Sequence, residues 1–310
     1  MSWFRKLGGA RETVGIEVFP GGLAVAAKTP SDGPPGIRAM RVLTKEAADT
    51  KLAEMLARYV ADNSLTGSRC NLVLGHGDYQ LLLVEAPDVP DADLRDAIRW
   101  RIKDLVSMPL ENAVVDVFQL PADGVRGSKR MVYVVVAEIN RIKSLIEMVR
   151  AAELELEAID IGEMALRNLS LLQDEGADAR GVGFARITEG SGTVSLYRGG
   201  NLYLSRQFQL NYHGGLLDDL PIDNLILEFQ RSLDYYERQM GQAPPGVMYI
   251  CGTNVSLDKV TPELSRALSV PLKYLEIENY FQFADGTEND LSHVCIGALG
   301  GALRNRVGVV

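Results

Sequence analysis

The chain has 310 residues, 46% hydrophobic and 24% charged, with a net charge of −9. That length exceeds one average core and suits two domains or one two-lobed unit, and the charge argues against general nucleic-acid binding, which needs clustered Lys and Arg. Cys70, Cys251 and Cys295 are widely spaced beside apolar runs, so they read as reduced, buried thiols of a cytoplasmic protein rather than disulfides or metal ligands.

Three strands are predicted first, at 13–18, 23–28 and 37–43, from runs of β-branched residues separated by Phe19-Pro20-Gly21-Gly22 and by a Pro/Gly-rich stretch at 29–36. A helix follows at 45–61 and a short buried strand at 71–74. Before them, Trp3 and Phe4 with Arg5 and Lys6 read either as a small interfacial anchor or as a frayed tail. No signal-peptide core is visible, and no run reaches the ~18 apolar residues that cross a bilayer.

Next come a strand at 79–85, an amphipathic helix at 91–106 with Leu94, Ile98, Ile102 and Leu105 on one face, and paired strands at 113–120 and 131–137. These make a small α/β unit inserted at about 78–130. A helix at 139–152, a strand at 156–161 and a helix at 164–173 complete the first lobe, placed at 1–176. The polar stretch 174–181 is the expected boundary.

The second lobe, 177–310, opens on three more strands, at 182–187, 193–198 and 202–208. The Glu189-Gly190-Ser191-Gly192 turn between the first two has the composition of a backbone phosphate cradle. A strong helix at 223–240, a strand at 247–251 ending in Gly252-Thr253-Asn254, a helix at 261–268 and a strand at 272–275 follow. A last helix, at about 291–303, is expected to pack back toward the first lobe.

Three strands, helix, strand, helix therefore occurs twice. The fold expected is α/β, actin-like (ribonuclease H-like): two lobes of duplicated βββαβα units with the inserted subdomain, and any cofactor between the lobes. Elsewhere, His76, His213 and His293 lack carboxylate or Cys neighbours at ligand spacing, so no metal site is expected. Walker A and Gly-x-Ser-x-Gly patterns are absent, so no catalytic residues are named.

The residues from Ala97-Ile98-Arg99-Trp100-Arg101-Ile102-Lys103 through Pro109, Glu111-Asn112-Ala113-Val114 and Asp116-Val117-Phe118 resemble PilM-like type IV pilus assembly proteins, in particular the MshI branch of MSHA pilus biogenesis. Glu228-Phe229-Gln230-Arg231-Ser232-Leu233-Asp234-Tyr235-Tyr236 is similar to the second-domain helix of that family. The resemblance runs from about residue 14 to 303. It implies an actin-like cytoplasmic adaptor, peripheral to the inner membrane. Its implied partner is the N-terminal cytoplasmic tail of a PilN-like single-span inner-membrane protein, with other pilus platform components and self-association also open to it.

The resemblance further implies that some relatives bind ATP with Mg²⁺, and here the loops depart from the pattern. The first retains an acid as Glu17, but Phe19 stands in place of a glycine and Pro20 cannot donate an N–H. Arg186 stands where the second loop of the family has its Mg²⁺-associated Asp, and a cation cannot ligate Mg²⁺. The expectation is a degenerate cleft with no cofactor required, ATP/Mg contact surviving at most at Glu17, Ser191, Gly192, Thr193, Gly252 and Thr253. Arg99, Trp100 and Lys103 are the candidate partner-binding residues, since Trp and Arg anchor interfaces; a solvated helix face is the plainer explanation. The competing function is a nucleotide-binding ATPase or switch of the same platform.

Overall fold

The structure, a computed structural model, describes residues 12–31, 33–45, 51–125, 127, 129–173, 180–213, 220–253, 255–260, 262–285, 287 and 291–305. In chain order, β1 (Thr13–Phe19), β2 (Gly22–Thr29) and β3 (Gly36–Thr44) lead into α1 (Leu52–Asp62) and β4 (Arg69–Leu74). The inserted segment then supplies β5 (Tyr79–Glu85), α2 (Leu94–Ile102), β6 (Ala113–Gln119) and β7 (Met131–Glu138). After α3 (Ile139–Ala151), β8 (Glu155–Ile161) and α4 (Gly162–Gln173), the pattern restarts with β9 (Val182–Thr188), β10 (Ser191–Arg198) and β11 (Asn201–Gln209). It continues through α5 (Ile222–Asp234), β12 (Val247–Gly252), α6 (Pro262–Arg266), β13 (Leu272–Tyr274), β14 (Gln282–Phe283) and α7 (Ile296–Ala302).

Two large sheets repeat one topology. The first runs β14-β3-β2-β1-β4-β8 and the second β11-β10-β9-β12-β13. In each, an antiparallel three-strand meander continues into parallel strands, β1 beside β4 and β9 beside β12. The central strands β1 and β9 are buried along nearly their whole length, each with one charged residue held inside, Glu17 and Arg186. The duplicated α/β fold is thus an actin-like one.

The chain divides into two compact units that interleave in sequence. One draws on Met1–Leu74, Leu145–Ala165 and Ile277–Val310, the other on Gly75–Ser144 and Leu166–Glu276. A single cut near residue 176 does not describe these units, because the inserted segment groups with the second large sheet and the C-terminal helix with the first. That helix, α7, lies on β1, β2 and β4. All seven of its residues are buried. A methyl added at Gly15 of β1 would overlap the Ala298 carbonyl of α7, so helix and strand meet backbone to backbone.

The insert has a core of its own. Leu94, Ile98 and Ile102 form the inner stripe of α2 and pack on Val115, Val132, Val134 and Val136 of the β5-β7-β6 sheet. β6 alternates buried and exposed along its first half, as a strand with one covered face should.

Several elements differ from the sequence expectation. The helix predicted from 45 begins at Leu52, and residues 46–50 lie outside the described set. α2 ends at Ile102, where the Leu105 N–H bonds back to the Ile102 carbonyl in a tighter turn, leaving Leu105 exposed rather than on the buried stripe. The helix expected over 223–240 is α-helical only to Asp234 and closes in a π-helical turn, Tyr235–Gln239. The final helix is the shorter α7. Trp3, Phe4, Asn254 and the 174–179 part of the predicted linker lie outside the described residues.

Candidate functional site

Two regions carry the residues that the sequence singled out. One is the set of hairpin ends that would cradle phosphate. The other is the outer face of α2.

In the first hairpin, β1 runs through Phe19 and β2 resumes at Gly22, leaving a two-residue turn. The Phe19 ring folds over the backbone of Gly22, occupying the space of a side chain there. Glu17 is buried in β1, and its carboxyl group lies where a methyl on Gly297 of α7 would stand. The acid that could have faced a metal is therefore packed against the first turn of a helix.

The second hairpin closes more tightly than its sequence suggests. β9 extends to Thr188 and β10 begins at Ser191, so Ser191 and Gly192 are strand residues, not loop residues. Paired strands commit backbone N–H groups that a phosphate cradle needs free. At the turn itself, the Gly190 N–H donates to the Tyr212 carbonyl, 2.8 Å. The Ser191 hydroxyl is held by Thr188 Oγ1, 2.9 Å. Gly192 pairs with Phe208 across β10–β11, and the Phe208 ring lies over it, buried and edge-on to Phe229 of α5.

The remaining cleft residues sit in two adjacent rows of the same sheet. Gly192, Ile187 and Gly252 form one row; Thr193, Arg186 and Cys251 form the next. Thr193 is buried, and its hydroxyl shares a 3.1 Å hydrogen bond with His76 Nε2. Gly252 has φ +126°, and a methyl there would overlap the Ile187 carbonyl; glycine is required by the close approach of β12 to its parallel neighbour β9 whether or not a ligand binds. The Thr253 N–H donates to the same Ile187 carbonyl, 3.0 Å. Arg186 is buried beside Thr193. This donor set fits Mg²⁺-nucleotide poorly, since it offers an arginine and committed amides where carboxylate and free N–H groups are needed.

The structure therefore gathers Ser191, Gly192, Thr193, Gly252 and Thr253 at one end of one sheet, while Glu17 belongs to the other unit. Sequence reasoning missed the Phe208 cover, because counting back along the hairpin from Gly199-Gly200 sets Gln207 opposite Gly192, and only the register shift at Leu196/Tyr197 brings Phe208 there. It also left His76 without a partner, in a Gly75-His76-Gly77 stretch that reads as a turn or as a cleft loop. The turn is present, with Asp78 N–H to the Gly75 carbonyl at 2.9 Å and Arg141 paired to Asp78, but it aims the imidazole at Thr193.

The outer face of α2 is the opposite case. Trp100 is 80% exposed. It borders a pocket of about 700 Å³ whose walls include Arg99, Lys103, Met108, Pro109 and Glu111. Arg99 is fixed there, donating to the Leu110 carbonyl and, at 3.4 Å, to the Ala113 carbonyl. Arg95 pairs with Asp116 at 2.7 Å and pins the helix to β6. The three partner-site residues predicted from sequence thus line one concave surface. Its far wall, Met108 to Glu111, was not foreseen, because it is made by a turn that the helix period does not reveal.

Among the described residues, no helix is long and apolar enough to cross a membrane. No family model matches the chain, and no curated protein matches it in sequence. Solved structures do match. A chain of the PilM–PilN type IV pilus biogenesis complex superposes with a TM-score of 0.72 at 20% identity, over 94% of this chain and 98% of that one. The cytoplasmic domain of EpsL, an inner-membrane component of the type II secretion system of Vibrio cholerae, gives 0.52 at 10% identity over 89% and 87%. A Bacteroides thetaiotaomicron protein with an actin-like ATPase fold gives 0.51 at 12% identity over 95% and 98%. Fold and comparisons together define an actin-like two-lobed protein.

Proposed function

We propose that this chain is a cytoplasmic, non-hydrolysing actin-like adaptor of a type IV pilus platform, of MSHA type, working at the inner membrane. It holds the N-terminal cytoplasmic tail of a PilN-like single-span protein in the pocket beside α2. The observation that carries this reading is Trp100. A tryptophan that is 80% exposed beside a preformed pocket is the kind of anchor that interfaces desolvate on binding. The likeness to a chain from a PilM–PilN complex supplies the class of partner, and the EpsL likeness supports a membrane-platform setting. The MshI assignment within that class rests on the sequence resemblance.

The hairpins support the non-hydrolysing half of the reading. Glu17 packs against α7, Phe19 and Phe208 lie on Gly22 and Gly192, and Ser191 and Thr193 bond to protein neighbours. Calorimetry with a PilN-like tail peptide tests the proposal. Binding that is lost in Trp100→Ala and unchanged by Mg-ATP is expected, whereas failure of every platform tail to bind would remove the adaptor role. The competing reading, a nucleotide switch, predicts micromolar Mg-ATP binding and turnover that Glu17→Ala abolishes.

A further inference from the structure

The insert carries its own apolar core, built from α2 and the β5-β7-β6 sheet, yet the joint to the neighbouring large sheet is notably polar. At the tip of the β6–β7 connection, Asp123 accepts from Arg198 Nη2 and, at 2.8 Å, from the Tyr203 hydroxyl. Its backbone carbonyl accepts from Gln242 Nε2, and Gln242 Oε1 in turn accepts from Arg198 Nη1 at 2.8 Å. The Arg198 guanidinium also lies 4.6 Å from the centre of the Tyr203 ring. Behind this cluster, the Tyr133 hydroxyl of β7 donates to the Tyr203 carbonyl, 3.1 Å, and accepts the Ser205 N–H, 3.2 Å. Thus β7 and the β6–β7 connection are tied to β10, β11 and the chain beyond α5 through hydrogen bonds and one ion pair.

We infer that this cluster is a releasable clasp: closed, it makes the insert and the β9–β13 sheet one moving body, and opened, it frees the insert as an intact unit. Two features distinguish it from ordinary core packing. The Asp123 side chain is 60% exposed, so water can replace its bonds in place of Arg198 and Tyr203. The insert retains its own core when the clasp opens, because its packed residues all lie within the insert. The inference is independent of what the α2 pocket holds.

The Ser205 amide is a built-in reporter, since it donates to Tyr133 of the insert. Hydrogen exchange on the full chain, resolved to single amides, reads it directly. Tyr133→Phe removes the acceptor and sets the upper limit. Asp123→Ala, a surface change, is expected to speed exchange at Ser205 by roughly tenfold, the effect of losing a charged hydrogen-bond network, while Val134 within the insert sheet and Ile187 within the large sheet keep their rates. Unchanged exchange at Ser205 in Asp123→Ala would overturn the clasp. Equal acceleration at Val134 and Ile187 would also overturn it, by showing general loosening instead of a local release.

Discussion

The β9–β10 hairpin and the outer face of α2 belong to the same compact unit, yet they treat their polar and aromatic groups in opposite ways. At the hairpin, each group suited to a ligand is turned inward: Gly190 N–H to Tyr212, Ser191 to Thr188, Thr193 to His76, and Phe208 over Gly192. At α2, the largest aromatic side chain stands in solvent beside an open pocket. Burying Trp100 in a partner would gain apolar area that the folded chain leaves unused. A ligand at the hairpin would have to break bonds already made. The contrast fits the proposed partner site on the insert and hairpin groups that serve the fold.

Substitutions can break this comparison. The largest effect is expected for Gly252→Ala, which sets a methyl against the Ile187 carbonyl at φ +126°; a stability loss of about 3 kcal/mol or more in denaturant unfolding is expected from combined strain and overlap. A neutral result would mean that β12 can shift, and that Gly252 serves something other than the close approach to β9. Trp100→Ala should weaken tail binding by roughly 2 kcal/mol or more, the scale of an interface anchor. The same substitution should leave unfolding within about 0.5 kcal/mol of the parent, as exposed positions do.

Phe208→Ala should cost about 3 kcal/mol, because the ring is buried against Phe229 and Gly192. It sharpens the comparison by uncovering the hairpin: Mg-ATP should still fail to bind, because the Gly190 amide and Ser191 remain committed. The smallest effect is a pH response. Burial pushes the Tyr236 hydroxyl up to about 12. Its contribution is fully present below the unfolded value near 10 and is lost as pH rises from there toward 12. Tyr236→Phe should therefore lose less stability than the parent across that alkaline window, a difference on the order of 1 kcal/mol by chemical unfolding.

The duplicated topology was legible in the sequence because it depends on order. Two meanders, each followed by helix and strand, are written as runs of β-branched residues with glycine breaks, and 182–208 reads almost residue for residue as β9, β10 and β11. The α2 stripe was legible through Ile102, where helical periodicity still holds. Relations between distant segments were hidden. Nothing local pairs Glu17 with Gly297, His76 with Thr193, or Asp123 with Arg198, since each contact joins segments that meet only after the sheets form. Ser191 and Gly192 were read as loop because Gly and Ser favour turns, whereas the ladder with Phe208 and Gln209 draws them into the strand. Sheet pairing overrides local preference there.

The most direct measurement is a calorimetric titration of a PilN-like tail peptide into the full chain and its Trp100→Ala variant, each with and without Mg-ATP. The account predicts binding to the parent, its loss in the variant, and the same affinity whether or not nucleotide is present. Saturable Mg-ATP binding that governs tail affinity, or tail binding indifferent to Trp100, would contradict it.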